Sequence, residues 1–183
     1  LSFREAIDSS AGFLVGIKIN SVEFQDRGLG LEDAKSMCGI VEIRPVFKET
    51  VVYLTGGFRT APAMVNAVLE GTTDGIGLGR PTTAEPDLPA KILRGECLSA
   101  PNAIPNQDDY MLTSTVSNMQ MGQMGKRPFA ESKSVCDGIA DLSHPEEAEN
   151  FKKASEVYFK QMKETAERNE AIHGVMEYKN IVT

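Results

Sequence analysis

Val51-Val52-Tyr53-Leu54-Thr55-Gly56-Gly57-Phe58-Arg59-Thr60, followed one helix-length later by Asp74-Gly75-Ile76-Gly77-Leu78-Gly79-Arg80-Pro81, decides how this chain reads. Each stretch is a short apolar run that ends in a glycine-rich turn, and a helical pattern lies between them. Strand, glycine turn, helix, strand, glycine turn is the order of a parallel βα repeat. A glycine at the end of such a strand lets backbone N–H groups approach an anion that a Cβ would hold off. Arg80 adds a planar guanidinium that matches phosphate oxygens. Glycine also serves tight βα connections that bind nothing, so one turn alone says little. Two of them, one closing on Gly-Arg, point to a phosphate.

The spacing Gly75-x-Gly77-x-Gly79 departs from G-x-G-x-x-G, and no acidic residue follows at dinucleotide distance, which disfavours a Rossmann site. The last two βα loops of a (β/α)8 barrel fit better, because barrels of this type hold an anion there. Upstream, Phe13-Leu14-Val15-Gly16-Ile17-Lys18-Ile19 reads as a strand buried on both faces, with Lys18 near its C-terminal end. A lysine there either snorkels to solvent or faces the mouth of the sheet where ligands bind. Arg59, just past the first glycine pair, is either an ordinary surface side chain or a second contact to an anion.

Working outward, residues 3–9 read as the end of a helix, and residues 31–48 as one kinked helix or two short ones around Gly39 and Pro45. Residues 61–70 predict a helix with Pro62 in its first turn, an apolar stripe of Ala63, Met64, Ala67 and Val68, and Gly71 at its end. Residues 87–95 predict a short helix that Asp87 caps or complements. Beyond Gly95 the texture turns to scattered Pro, Asn, Ser and Gly, with a helix expected at 113–123 and Met111, Met119, Met121 and Met124 read as packing filler. Ser143-x-x-Glu146 matches a capping box ahead of an amphipathic helix over 144–171, whose face of Phe151, Ala154, Ser155, Tyr158, Met162 and Thr165 docks on its own domain.

Bulk properties bound the rest. The chain has 183 residues, 41% of them apolar and 25% charged, as in ordinary globular domains. A net charge of −7 speaks against nucleic acid or an anionic membrane as partner. No apolar run approaches the roughly 20 residues of a membrane span. Cys38, Cys97 and Cys136 form no framework, which suggests a reducing, cytoplasmic setting. His144 and His173 lie too far apart along one predicted helix to share a metal, so no metal site is expected.

At this point residues 1–95 resemble the C-terminal half of the old yellow enzyme family, in its fungal NADH oxidase-like branch. The residues that carry the likeness are Val15-Gly16-Ile17-Lys18-Ile19-Asn20-Ser21, Leu54-Thr55-Gly56-Gly57-Phe58-Arg59-Thr60, Gly75-Ile76-Gly77-Leu78-Gly79-Arg80-Pro81, and Pro86-Asp87-Leu88-Pro89 with Lys91 and Leu93. The resemblance implies an FMN-dependent NAD(P)H:flavin oxidoreductase of ene-reductase type on a (β/α)8 barrel. NADH or NADPH is the implied reductant, and a small electron acceptor such as an activated alkene the implied substrate. It also implies roles: Lys18 at the flavin N1/O2 edge, Gly56 and Gly57 at the seventh-strand loop on the FMN phosphate, and Gly79 and Arg80 at the eighth-strand loop on the same phosphate.

The departures from that family are specific. Strands one to four, with their His/Asn pair for a substrate carbonyl and their Tyr proton donor, find no counterpart. A sixth βα segment with a Ser-Gly-Gly turn is missing between Cys38 and Glu42. The expected molecule is therefore a truncated, internally deleted copy: a partial barrel of about three parallel strands (14–19, 51–54 and 75–78) with helices over residues 1–95, and a helical extension over 96–183. Three strands cannot close a barrel, so exposed sheet edges and self-association or a partner chain are expected. Two other readings remain at this level. One is a non-catalytic fragment or interaction module acting through its C-terminal helix. The other is a phosphate-binding barrel of another pathway, against which the stretch around Lys18 argues.

Overall fold

The computed structural model describes residues 49–126, 128–179 and 181. The strand expected at 14–19, with Lys18, and the helices expected at 3–9 and 31–48 lie outside the described residues. The chain divides into two units, Leu1–Val51 and Val52–Thr183. All of the described residues except Glu49, Thr50 and Val51 belong to the second, a mixed α/β unit.

Its sheet has two parallel strands, β1 (Tyr53–Thr55) and β2 (Gly75–Gly77), in the register Tyr53↔Gly75, Leu54↔Ile76, Thr55↔Gly77. The strands expected at 51–54 and 75–78 are present but shifted and shortened. β1 starts late because Asp74 Oδ2 takes the N–H of Val52 at 2.8 Å, and the N–H of Asp74 donates back to the Val52 carbonyl at 2.9 Å. The glycines of β2 have a packing reason. A Cβ on Gly75 would stand 2.6 Å from the Tyr53 ring, and one on Gly77 3.1 Å from Thr55 Cβ. Tyr53 and Thr55 lie across β2 in the room those glycines leave.

Between the strands runs α1 (Ala61–Leu69), with Pro62 in its first turn and Gly71, at φ +71°, just past its end. Pro lacks an N–H that the first turn does not use, and Gly accepts the left-handed backbone that closes a helix. The expected apolar stripe covers little: Met64 and Ala67 are half-buried, Ala63 and Val68 are exposed, and only Ala61 of this helix is buried. After β2 comes α2 (Arg80–Ala84), a short helix that the sequence pattern did not predict. α3 (Leu88–Leu93) is shorter than the expected 87–95. Asp87 sits at its N-cap but makes no side-chain cap bond; its carboxylate instead meets Lys91 Nζ at 3.3 Å and Cys136 Sγ at 3.8 Å.

α4 (Tyr110–Gly125) extends beyond the expected 113–123 at both ends, because Asp109 Oδ1 accepts from the N–H of Leu112 at 3.0 Å and sets its start. α5 (Pro145–Glu167) begins close to expectation and stops four residues before 171, where Asn169 takes a left-handed backbone at φ +56°. The capping box does not form. His144 occupies the N-cap without a side-chain cap bond, and Ser143 Oγ donates to Asp141 Oδ1 at 2.6 Å instead. Pro145 at the first helical position has no N–H to satisfy, which lowers the demand for a cap.

The buried cluster lies away from the sheet. Met119 of α4, Ala140 and Leu142 of the connecting segment, Phe151 of α5 and Met176 of the tail form it. Of the methionines on α4, Met119 alone fills this core; Met111, Met121 and Met124 are exposed, so the filler reading holds for one of them. α5 docks on its own unit as expected, through Ala148, Phe151 and Ser155. The Phe151 and Tyr178 rings meet edge to face, with centroids 5.6 Å apart. Glu147 is fully buried; Tyr178 Oη donates to its Oε1 at 2.5 Å and the N–H of Ile181 to its Oε2 at 3.0 Å. Burial, and then the bond to Glu147, push the Tyr178 phenol up to about 12.

Phe151→Ala should cost about 3–5 kcal/mol, the range for a buried aromatic truncation, read from urea unfolding of the full chain. Leu93→Ser, at a side chain 88% exposed, should stay within about 0.5 kcal/mol of wild type. Tyr178 should also mark the alkaline limit. Its proton is held to about 12 in the folded chain against about 10 unfolded. That contribution is complete below pH 10 and is lost as pH rises through 12. Unfolding midpoints measured across this window should fall less steeply in Tyr178→Phe.

Candidate functional site

Because β1 and β2 run parallel and end level at Thr55 and Gly77, the loops that come after them leave the sheet at the same end. Gly56, Gly57, Gly79 and Arg80, the described members of the expected phosphate site, therefore share one end of the sheet. Gly56 and Gly57 take φ of +122° and +72°, which L side chains rarely adopt. A Cβ added at Gly56, Gly57 or Gly79 would meet nothing within 4 Å. The need for glycine at 56 and 57 is thus conformational, and the backbone of these loop tips is open to a ligand. Lys18 lies outside the described residues.

Arg80 opens α2 and is fastened from α4. Its Nη1 donates to Thr113 Oγ1 at 2.7 Å, and the Thr113 hydroxyl reaches the Asp109 carbonyl at 2.9 Å. Next to it, Thr83 Oγ1 lies 2.9 Å from Gln120 Oε1, and Gln120 Nε2 donates to the Ala140 carbonyl at 3.0 Å. Gln123 Oε1 accepts from the N–H of the same Ala140 at 2.9 Å. Thr113, Ser117, Gln120 and Gln123 are all buried, so α4 turns a polar seam inward. Among the described residues no buried side-chain N or O atom lacks a hydrogen bond.

Arg59 is held by a second support, the strap that comes after α3. Ala61 N–H donates to the Leu98 carbonyl and Ala100 N–H to the Arg59 carbonyl, both at 2.8 Å, around an antiparallel bridge between Thr60 and Ser99. The Arg59 side chain then donates from Nη2 to the Pro101 carbonyl at 2.6 Å. Arg59 and Arg80 both line one open cleft, with Gln107, Thr113, Asp141 and Ser143 among its walls. Burial, and then the charge of Arg80, lower the Arg59 pKa below the usual arginine range.

Other chemical groups are committed elsewhere. Burial, then the charge of Asp87, raises the Cys136 thiol, which suits a packed thiol rather than a nucleophile. Lys91 is tied to Glu85 at 2.5 Å and to Asp87. No group of His, Cys, Asp and Glu among the described residues could hold a metal ion, and no helix there is long and apolar enough to cross a membrane. What sequence reasoning missed is the platform under Arg80. Its one trace was Thr113, Ser117 and Gln120 at i, i+4 and i+7, a polar stripe that a search for apolar periodicity passes over.

No family model matches the chain. It is 33% identical over 170 residues to the NADH-dependent flavin oxidoreductase nadA of Aspergillus parasiticus. That match takes in 69% of this chain and 38% of the relative, so the chain spans well under two thirds of the relative's length. An alignment of 170 positions is longer than 69% of 183 residues; the relative therefore has positions within the match that face no residue here.

Removing the platform should be measurable. Gln120→Ala leaves the Ala140 carbonyl short of its buried donor, while the Thr83 hydroxyl keeps the Arg80 carbonyl at 2.8 Å. It should cost about 1–3 kcal/mol in a urea unfolding experiment, the penalty for a buried unsatisfied group.

Proposed function

We propose, from the premise that this chain belongs to the old yellow enzyme family of flavin oxidoreductases, that it carries the phosphate end of an FMN site. The level ending of the two parallel strands carries this reading, since it brings Gly56 and Gly57 to the same end as Gly79 and Arg80. Open space over the three glycines leaves backbone N–H groups reachable by a phosphoryl group. Arg80, the residue after Gly79, adds a guanidinium fixed by Thr113. The described residues thus suit the phosphate of the cofactor. The resemblance gives Lys18 the flavin edge, where a cation favours the negative charge of a reduced ring. When bound, FMN supplies two-electron transfer between a reduced nicotinamide and an acceptor such as an activated alkene.

The chain's own residues bind and orient the cofactor. The relative's printed name supports NADH as reductant. The positions of the relative that face no residue here are consistent with a missing βα segment between Cys38 and Glu42. Turnover is therefore proposed for the whole reductase type, and cofactor binding for these 183 residues. The partial barrel is the architecture that this reading requires, with β1 and β2 as its last two strands and α1 between them.

Titration of the full chain with FMN, followed by quenching of flavin fluorescence, tests the site. Wild type should bind FMN more tightly than riboflavin. Arg80→Ala should weaken FMN by about 10- to 100-fold, the loss expected for a charge-assisted pair to phosphate. Equal affinity for FMN and riboflavin would reject the phosphate site.

A further inference from the structure

The described arginines fall into two kinds. Arg94 pairs with Glu96 at 2.5 Å and Arg168 with Glu170 at 2.9 Å, both on the surface. Arg59 and Arg80 form no ion pair among the described residues; each has one neutral oxygen partner, on one terminal nitrogen. A guanidinium carries five N–H donors in a rigid fork, so each keeps donors for a further partner. Acidic residues are in excess in a chain of net charge −7, so the lack of an ion pair at these two is not scarcity.

Both forks line the same cleft, and they are braced from different directions, Arg59 by the 98–101 strap and Arg80 by α4. The charged groups in its lining are Arg59, Arg80 and Asp141, and Asp141 Oδ1 already accepts from the Ser143 N–H and hydroxyl. Two cations against one carboxylate leave a positive cleft. Two like charges fixed side by side repel, and burial and Arg80 together oppose the charge on Arg59. An anion between the forks removes that repulsion and gains charge-assisted bonds from both.

We infer that Arg59 and Arg80 act as a two-arginine clamp that selects a terminal phosphate monoester over a phosphodiester or pyrophosphate. This rests on the flavin-phosphate reading and adds Arg59 to it as the specificity-determining residue. A monoester carries close to two charges at neutral pH and exposes three oxygens, enough for both forks. A diester carries one charge, as does each phosphorus of the pyrophosphate in FAD, and in both the second substituent occupies the side where the second fork docks. The clamp therefore favours FMN over FAD, and the dianion over the monoanion that forms below about pH 6.

The test compares FMN, FAD, riboflavin and phenyl phosphate on the full chain at pH 7.5 and 5.0. The variants are Arg80→Ala and Arg59→Gln, the latter keeping a donor for the Pro101 carbonyl. Arg59→Gln should weaken FMN about tenfold or more, leave riboflavin within about twofold, narrow the preference for FMN over FAD, and flatten the loss of FMN affinity at pH 5.0. If Arg59→Gln binds FMN as wild type does while Arg80→Ala is weakened, the clamp is wrong and the flavin site stands. If phenyl phosphate binds in an Arg59-dependent way and FMN does not, the clamp stands and the flavin reading is wrong. Failure to hold either ligand overturns both. Should Arg59→Gln melt several degrees below wild type, Arg59→Lys replaces it, since it keeps the charge and loses the fork. Weakened FMN at wild-type stability then supports the clamp, and unchanged FMN overturns it.

Discussion

Gln120 and Gln123 grip Ala140 from one helix face, one by its carbonyl and the other by its N–H. Everything else in the Val52–Thr183 unit is arranged around that grip. It pins the segment before α5 onto α4, which brings Leu142 and Phe151 against Met119 and closes the core. On its other side the same Gln120 meets Thr83, and Thr113, about two turns earlier on α4, meets Arg80. A single polar seam therefore joins the core to the mouth of the sheet. Buried hydrogen bonds of this kind contribute modestly when made and cost much when broken, so they specify geometry more than they add stability.

The sheet contributes little packing and much direction. Two three-residue strands bury almost nothing, and Tyr53 remains 70% exposed. Their parallel pairing nevertheless sends two glycine loops out at one end. Arg59 and Arg80, placed just beyond the glycines of those loops, are each braced by a segment from beyond Gly95. The loops offer main-chain donors and the braces hold the side chains, a division that suits recognition of an anion by preformed groups.

At the far end, buried Glu147 collects Tyr178 and the backbone of Ile181. It sits in the first turn of α5, where the helix dipole favours a carboxylate. The tail is thereby tied over the core, and Tyr178 covers the edge of Phe151. This latch is built from side chains more than thirty positions apart along the chain, which no local pattern announces.

Local rules carried part of the molecule. The apolar runs with their glycine turns are enough to require two parallel strands around a helix, because glycine admits the positive φ that turns need and proline fixes φ, as Gly57, Gly71 and Pro62 show. Periodicity near 3.6 is enough for α5, since an apolar stripe must be buried somewhere. What remained to tertiary structure was every choice among competing partners. Ser143 had the spacing of a cap and bonded Asp141; Asp87 stood at a cap position and took Lys91 and the Cys136 thiol. The polar face of α4 became interior because Ala140 and Thr83 arrived to satisfy it, and Arg59 became part of a cleft because the strap bearing Pro101 reached it. A hydrogen-bonding group has many acceptable partners, and its place is decided by which of them the fold brings within about 3 Å.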